Sequence, residues 1–235
     1  MTADHTPHAV RRSSLAQAAY DAIKKLVLSG EILPGERVTV RPLADRLGLS
    51  PTPITAALVA LARDGVLESR LHRGFFVPEF DLEDLREIYE MREGLDIVAV
   101  RAAASSGDRA RIAQELAVHC DHQSAYLAQK DMERYRFEDL EFHQAIWRLC
   151  GNRRLRRAGE NLQDHMRLCN AITSRRPGRG AQSVDEHRRI VAAIAAGDAD
   201  AAEAAAREHV HLTAQMFARE LEEHPDESLA VTRRG

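Results

Sequence analysis

Residues Arg41–Gly65 read RPLADRLGLSPTPITAALVALARDG, and this stretch decides how the N-terminal third is built. Leu43, Ala44 and Leu47 set a short apolar face that stops at Gly48. Ser50 follows as a helix N-cap, with Pro51 and Pro53 in a first turn whose N–H groups have no partner inside a helix. Ile54, Ala57, Leu58 and Leu61 then recur at i, i+3, i+4 and i+7, one face of an amphipathic helix. Two short helices around a turn containing Gly make a helix-turn-helix, whose second helix suits a DNA major groove.

Working outward, Val66–Ser69 and Gly74–Val77 are strand-like runs on either side of a polar Arg70–Arg73 turn. A hairpin directly after a recognition helix is a wing. Upstream, Leu15, Ala18, Ala19, Ala22, Ile23, Leu26 and Val27 stripe one helix, capped by Ser13 or Ser14 and ended by Gly30. Pro34-Gly35 marks a turn, and Arg37–Thr39 is placed to add a third strand. Residues 1–12 carry no apolar period and are expected to be a flexible arm.

The run ILPGERV…RPLADRLGLSPTPITAALVALARDGVLE…RGFFV resembles the winged helix-turn-helix of GntR-type bacterial transcription regulators over residues 13–77. The resemblance implies a homodimeric repressor or activator on double-stranded DNA with a pseudo-palindromic operator, and a separate C-terminal effector domain. Recognition helices of that family commonly open Ser-Arg-Thr-Pro-x-Arg. The matching run here is Ser50-Pro51-Thr52-Pro53-Ile54-Thr55, so both arginines are missing. Arg41 and the wing-tip pair Arg73-Gly74 remain at matching positions. The expected DNA contacts are therefore Arg41, Ser50, Thr52, Thr55, Arg73 and Gly74.

Composition sets the frame for the rest. Of 235 residues, 44% are hydrophobic and 29% charged; no run approaches the roughly 18 apolar residues needed to cross a bilayer, and no apolar signal core opens the chain. No membrane partner is expected. Cys120, Cys150 and Cys169 share no CxxC spacing, which suits a reduced cytoplasm. Residues 1–77 hold ten Lys/Arg against seven Asp/Glu, and the remainder 23 against 29. A mildly basic head on an acidic body fits a DNA-reading module joined to a domain with another task.

Residues 78–81 form a linker, residues 82–222 a second domain, and residues 223–235 a charged tail. Beyond Val77 no strand-like alternation appears. Helical periods predict Leu82–Ser105, Arg109–Gln129, Met132–Cys150, Arg154–Ser174, Val184–Ala196 and Ala199–Glu222, an antiparallel bundle. The fold class is thus mainly α: a winged helix-turn-helix followed by an all-α bundle.

Inward-facing polar residues are the informative ones in such a bundle. Asp139 and His143 sit at i, i+4 and continue into Ile146, Trp147 and Cys150. His187 leads the stripe Ile190, Val191, Ile194, and His209 lies between Ala202, Ala205, Ala206 and Leu212, Met216, Phe217. Burying three imidazoles and a carboxylate without compensation is expensive. A divalent metal resolves it, with Zn, Ni, Mn and Fe all compatible with this donor set. Arg92, in phase with Leu85, Ile88, Tyr89, Leu95 and Ala99, also faces inward. It is either paired with Asp96 at i+4 or a clamp for a carboxylate effector, with Asn152 expected to line the same pocket.

The pattern EDLEFHQAIWRLCGN…DEHRRIVAAIAAGDADAA…REHVHL resembles the FCD effector domain of the fatty-acid-regulator-like GntR subfamily. In its metal-binding members the ligands are an Asp, a His four residues later and two further His, which Asp139, His143, His187 and His209 match. The expectation is a ligand-responsive regulator, not an enzyme, binding a metal and a small organic acid. The alternatives are a metalloenzyme with a His₃Asp site, or a constitutive DNA-binding protein with a purely structural metal.

Overall fold

The computed structural model describes residues 7–79, 81–173 and 179–223. The chain divides between residues 80 and 81 into two compact units. Among the described residues the chain is mainly helical, with strands confined to the first unit.

The first unit opens with α1, Pro7–Leu28, followed by β1, Arg37–Val38. Then come α2, Val40–Leu47, and α3, Pro51–Arg63, with the hairpin β2, Glu68–Arg70, and β3, Gly74–Phe76. The helix α1 starts earlier than its Ser13/Ser14 cap signal suggested, so residues 7–12 of the expected arm are its first turns; residues 1–6 lie outside the described residues. Gly48 closes α2 at φ 64°, a left-handed turn that glycine adopts without strain, its N–H bonded to the Ala44 carbonyl. Ser50 holds the N-cap position of α3 with extended backbone, but its hydroxyl makes no capping bond.

Ala19, Ile23, Leu26 and Val27 of α1 are buried together with Leu43 and Ala44 of α2 and Ile54, Ala57, Leu58 and Leu61 of α3. The apolar stripes read from the sequence therefore supply the core of the head, except that Leu15 and Ala18 at the start of the α1 stripe are exposed. The sheet order is β1-β3-β2, with Arg37 opposite Phe76 and Arg70 opposite Gly74, both pairings antiparallel. The third strand is thus present, and the wing is a three-stranded sheet.

The second unit holds α4 (Leu82–Ala104), α5 (Arg109–Ala128), α6 (Met132–Leu149), α7 (Arg153–Thr173), α8 (Arg179–Ala196) and α9 (Ala199–Glu223). A capping box starts α4: Asp84 N–H donates to Asp81 Oδ1 (2.9 Å) and Asp81 N–H to Asp84 Oδ2 (3.0 Å). The Asp131 carboxylate caps α6 by accepting from Arg134 N–H. Around the bundle, α4 packs on α9, α9 on α8, α8 on α5, α5 on α6, and α6 on α4, with α7 against α6 and α4. Five helices thus enclose one interior, the space the inward-phase polar residues share.

One boundary matters for function. The helix α8 begins at Arg179 rather than Val184, which brings Arg179 into its first turn. Ser174, the tail residues 224–235 and the break at residues 177–178 lie outside the described residues. No helix among the described residues is long and apolar enough to cross a membrane. Cys120 is a buried free thiol whose pKa burial pushes up to about 12, and Cys150 is also free.

Candidate functional site

His143 on α6, His187 on α8 and His209 on α9 meet in the bundle interior, each no more than 1% exposed. One ring nitrogen from each lies within 4.8 Å of the others. The outer nitrogens explain why the rings point this way. The His187 Nδ1 lies 2.9 Å from Gln123 Oε1, and the Gln123 amide nitrogen in turn donates to the Glu138 carbonyl at 3.2 Å. The His209 Nδ1 lies 2.8 Å from Glu186 Oε2, and Arg179 grips the same carboxylate through both terminal nitrogens. Carboxylates and amide oxygens only accept, so both imidazoles carry their proton on Nδ1 and aim the Nε2 lone pair inward.

His143 is held differently. Its Nδ1 lies 3.2 Å from Asp96 Oδ2 but outside hydrogen-bonding alignment, leaving that buried atom without a partner. Asp96 accepts from Trp147 Nε1 at 2.6 Å through its other oxygen. The Phe142 ring stacks on His187 with centroids 4.0 Å apart, locking its plane.

Burial pushes the pKa of all three histidines down, well down for His187 and His209, and the neighbouring Arg92 pushes the same way. The triad is therefore three neutral imidazoles, the form that ligates a metal. For Asp96, burial pushes up, but His143, Arg92 and the Trp147 indole together hold its pKa below the usual aspartate value.

Arg92, 1% exposed, reaches into the triad from α4. Its Nη2 is hydrogen bonded to His143 Nε2 and lies 3.0 Å from His209 Nε2, while its Nε lies 3.4 Å from Asp96 Oδ2. The ion pair with Asp96 is present, and the guanidinium also does more than pair.

Asp139 stands apart from the triad. Its Oδ1 lies 3.8 Å from His187 Nε2 and accepts from the Ser183 hydroxyl at 3.3 Å, but it does not join the three clustered nitrogens. Asn152, expected in the same pocket, is instead exposed: its Oδ1 accepts from the N–H groups of Arg154 and Leu155, capping α7. The CGN turn needs that oxygen for the helix, which keeps it out of the interior.

Gln123, Glu186 and Arg179 were not singled out from the sequence. Gln123 continues the α5 stripe Leu116–Cys120 at i+7 and was legible by the same phase argument as the histidines. Glu186, beside His187 and at i, i+4 to Ile190, lies within the predicted helix and was legible by the same phase; Arg179 was not, because the early start of α8 is not marked in the apolar period.

In the head, Thr52, Thr55, Ala56, Val59 and Arg63 line the exposed face of α3, opposite its buried stripe. The Thr55 hydroxyl donates to the Pro51 carbonyl at 3.0 Å. Arg41 is exposed in the first turn of α2 and makes no ion pair among the described residues, whereas Arg46 is tied to Glu31 and Arg63 to Asp64. At the wing tip His72 and Gly74 take positive φ (58° and 96°), and the Arg73 guanidinium lies 5.7 Å from the Phe76 ring centre. A side chain at position 74 would come within 3.6 Å of the Arg37 guanidinium, so Arg37 and Arg73 flank the wing tip together. Arg37, on β1 opposite Phe76, was not singled out from the sequence.

Comparison with known proteins agrees with both units. A family described as "Bacterial regulatory proteins, gntR family" matches residues 15–77, and one described as "FCD domain" matches residues 87–212. The chain is 30% identical over 155 residues to a "Probable D-xylose utilization operon transcriptional repressor" of Paenarthrobacter nicotinovorans, covering 66% of this chain and 68% of the relative. It is 28% identical over 143 residues to the HTH-type regulator YdhC of Bacillus subtilis, covering 60% of this chain but 63%, under two thirds, of that relative. Among solved structures, E. coli McbR/YncC shares the fold at TM-score 0.74 and 22% identity over 88% of this chain and 98% of that one. By its winged head and its FCD half, the chain belongs to the GntR family of bacterial regulatory proteins.

Proposed function

We propose that this protein is a cytoplasmic transcription regulator that binds operator DNA as a homodimer through α3, α2 and the wing. Its bundle holds one divalent metal and answers to a small carboxylate effector. The observation that carries the bundle half is the convergence of three neutral imidazoles whose outer nitrogens are already anchored on Gln123 and Glu186. His143, His187 and His209 would hold the metal, with Asp139 as the nearest carboxylate to complete the set. A bound metal would supply a positive centre with an open position for an oxygen ligand.

Formal charge favours an acid effector. Among the described residues, the formally charged side chains in ion-pair range of the triad or its anchors are Arg92 and Arg179 against Asp96, Glu186 and Asp139. Alone these sum to −1, which repels a carboxylate. With a divalent cation the sum is +1, which one monoanion neutralises. Effector and metal are thus expected to bind in that interdependent way.

In the head, Thr55 has committed its proton to the Pro51 carbonyl, leaving its oxygen as an acceptor and its methyl for a thymine. Pro51 and Pro53 remove amide donors that a phosphate would use at the start of α3. Arg41, Arg73 and Arg37 therefore carry the phosphate and base contacts that α3 lacks, with Ser50, Thr52 and Gly74 at the same face.

The experiment is a titration of metal-loaded protein with operator fragments and a panel of organic acids. The factor by which an acid alters DNA affinity must equal the factor by which DNA alters acid affinity. Acids that bind without moving DNA affinity would leave the metal structural and sink the regulatory reading.

A further inference from the structure

The Nε2 atoms of His187 and His209 face each other at 3.3 Å. Both rings carry their proton on Nδ1, so no proton lies between them, and two lone pairs at that separation repel. A hydrogen-bond donor or a cation relieves them. In this structure that group is Arg92, whose Nη2 donates to His143 Nε2 and His209 Nε2. It serves two of the three: no donor among the described residues reaches His187 Nε2, whose other near neighbour is the Asp139 carboxylate at 3.8 Å.

Each Nε2 has a single lone pair. It accepts a guanidinium N–H or binds a metal, and it cannot do both. We propose that the Arg92 guanidinium is the metal-free occupant of the His143–His187–His209 triad and leaves it when a divalent cation takes the three Nε2 atoms. Resting on the metal reading above, this makes Arg92 an internal competitor for the metal site as well as a group for the effector.

The exchange also explains how the effector arginine is kept in reserve. While the triad is metal-free, the Arg92 fork is committed to imidazoles and to Asp96. Displaced from the imidazoles, it retains the Asp96 tether on Nε and turns its two terminal nitrogens to an incoming carboxylate, a geometry the planar fork suits. Metal loading therefore arms Arg92, in addition to opening a coordination position.

The test measures Zn²⁺ affinity of the full chain by competition with a chelating dye, for wild type, Arg92→Ala and Arg92→Lys. Removing the occupant should tighten Zn²⁺ binding by roughly tenfold or more in Arg92→Ala, since charge-assisted hydrogen bonds no longer have to be broken. Arg92→Lys keeps the charge, but its ammonium ends one bond short of the Nη2 that meets both imidazoles and it has no Nε to tie to Asp96, so it too should bind Zn²⁺ more tightly than wild type. Metal-free Arg92→Ala should melt below metal-free wild type, with the gap closing when both are loaded. Tightening in Arg92→Ala without any in Arg92→Lys would make the effect one of net charge and overturn the exchange. So would a variant that binds Zn²⁺ no tighter than wild type. If Arg92→Ala does not fold, the Arg92→Lys comparison decides alone. Absence of Zn²⁺ binding in wild type and both variants would instead remove the metal reading on which the exchange rests.

Discussion

Gly159 offers a direct test of how the triad is braced. It is buried on α7, and a Cβ built there falls 2.3 Å from Trp147 Cε3 and 2.5 Å from Cδ2. These are atoms of a rigid ring that is itself 1% exposed, so the indole has nowhere easy to go. In an exposed helix Gly→Ala would stabilise by about 1 kcal/mol. Here overpacking costs about 1–3 kcal/mol. Shifting the indole also loosens its 2.6 Å bond to Asp96, worth about 1.5–3 kcal/mol for a charged acceptor. The net is a destabilisation of about 1.5–5 kcal/mol, or roughly 3–20 °C in melting temperature for a domain of this size. Trp147 is the sole tryptophan of the chain, so its emission reports the same event. Gly159→Ala should lower the melting temperature and shift that emission. A variant with native emission and an equal or higher melting temperature would show that α7 does not back directly onto the indole.

Three further outcomes are expected, one in the bundle and two in the head. Gln123→Ala removes the anchor of His187 Nδ1, and should weaken metal affinity about 10–100-fold, whereas Gln123→Glu retains the acceptor and should recover most of it; equal affinities in dye competition would refute the anchoring role. In the head, Arg41→Ala should cost on the order of 1–3 kcal/mol in specific DNA binding. Thr55→Arg should change the base preference selected from random DNA; identical selected motifs from wild type and Thr55→Arg would refute the account of the missing arginines.

How much of this was legible beforehand depends on what each residue's signal was made of. The apolar stripes of α1, α3 and the bundle helices are periodic, and the fold followed from them because burial enforces the period. His143, His187 and His209 were legible for the same reason, being polar residues in apolar phase. Asn152 was misplaced because a helix cap and a pocket amide look identical in sequence; only the N–H groups of Arg154 and Leu155 decide between them. Phase put Asp139 beside the histidines, but phase gives direction and not reach, and its carboxylate stops at 3.8 Å from one imidazole. Phase turned Arg92 inward, but its contacts with the imidazoles had no sequence signal. An i, i+4 partner in Asp96 was visible, but contacts with residues 51 and 117 positions away arise only when the helices close.

That closure distributes the load of one small site over the whole bundle. Arg92 and Asp96 come from α4, Gln123 from α5, His143 and Trp147 from α6, Glu186 and His187 from α8, and His209 from α9, with Gly159 of α7 behind the indole. Each of the six helices thus contributes a ligand-side group, an anchor or the wall behind one. Whatever occupies the triad sets the balance of attraction and repulsion among all of them at once. A guanidinium that satisfies two nitrogens and a cation that satisfies three cannot leave the helices under the same constraint. On the proposed exchange, the two occupants would favour different bundle arrangements only through their differential affinity, the only means by which a ligand can shift such an equilibrium. On the proposed function, an effector response would run through the packing of α4 against α6 and α9, where Arg92 crosses from its own helix to the imidazoles of the other two.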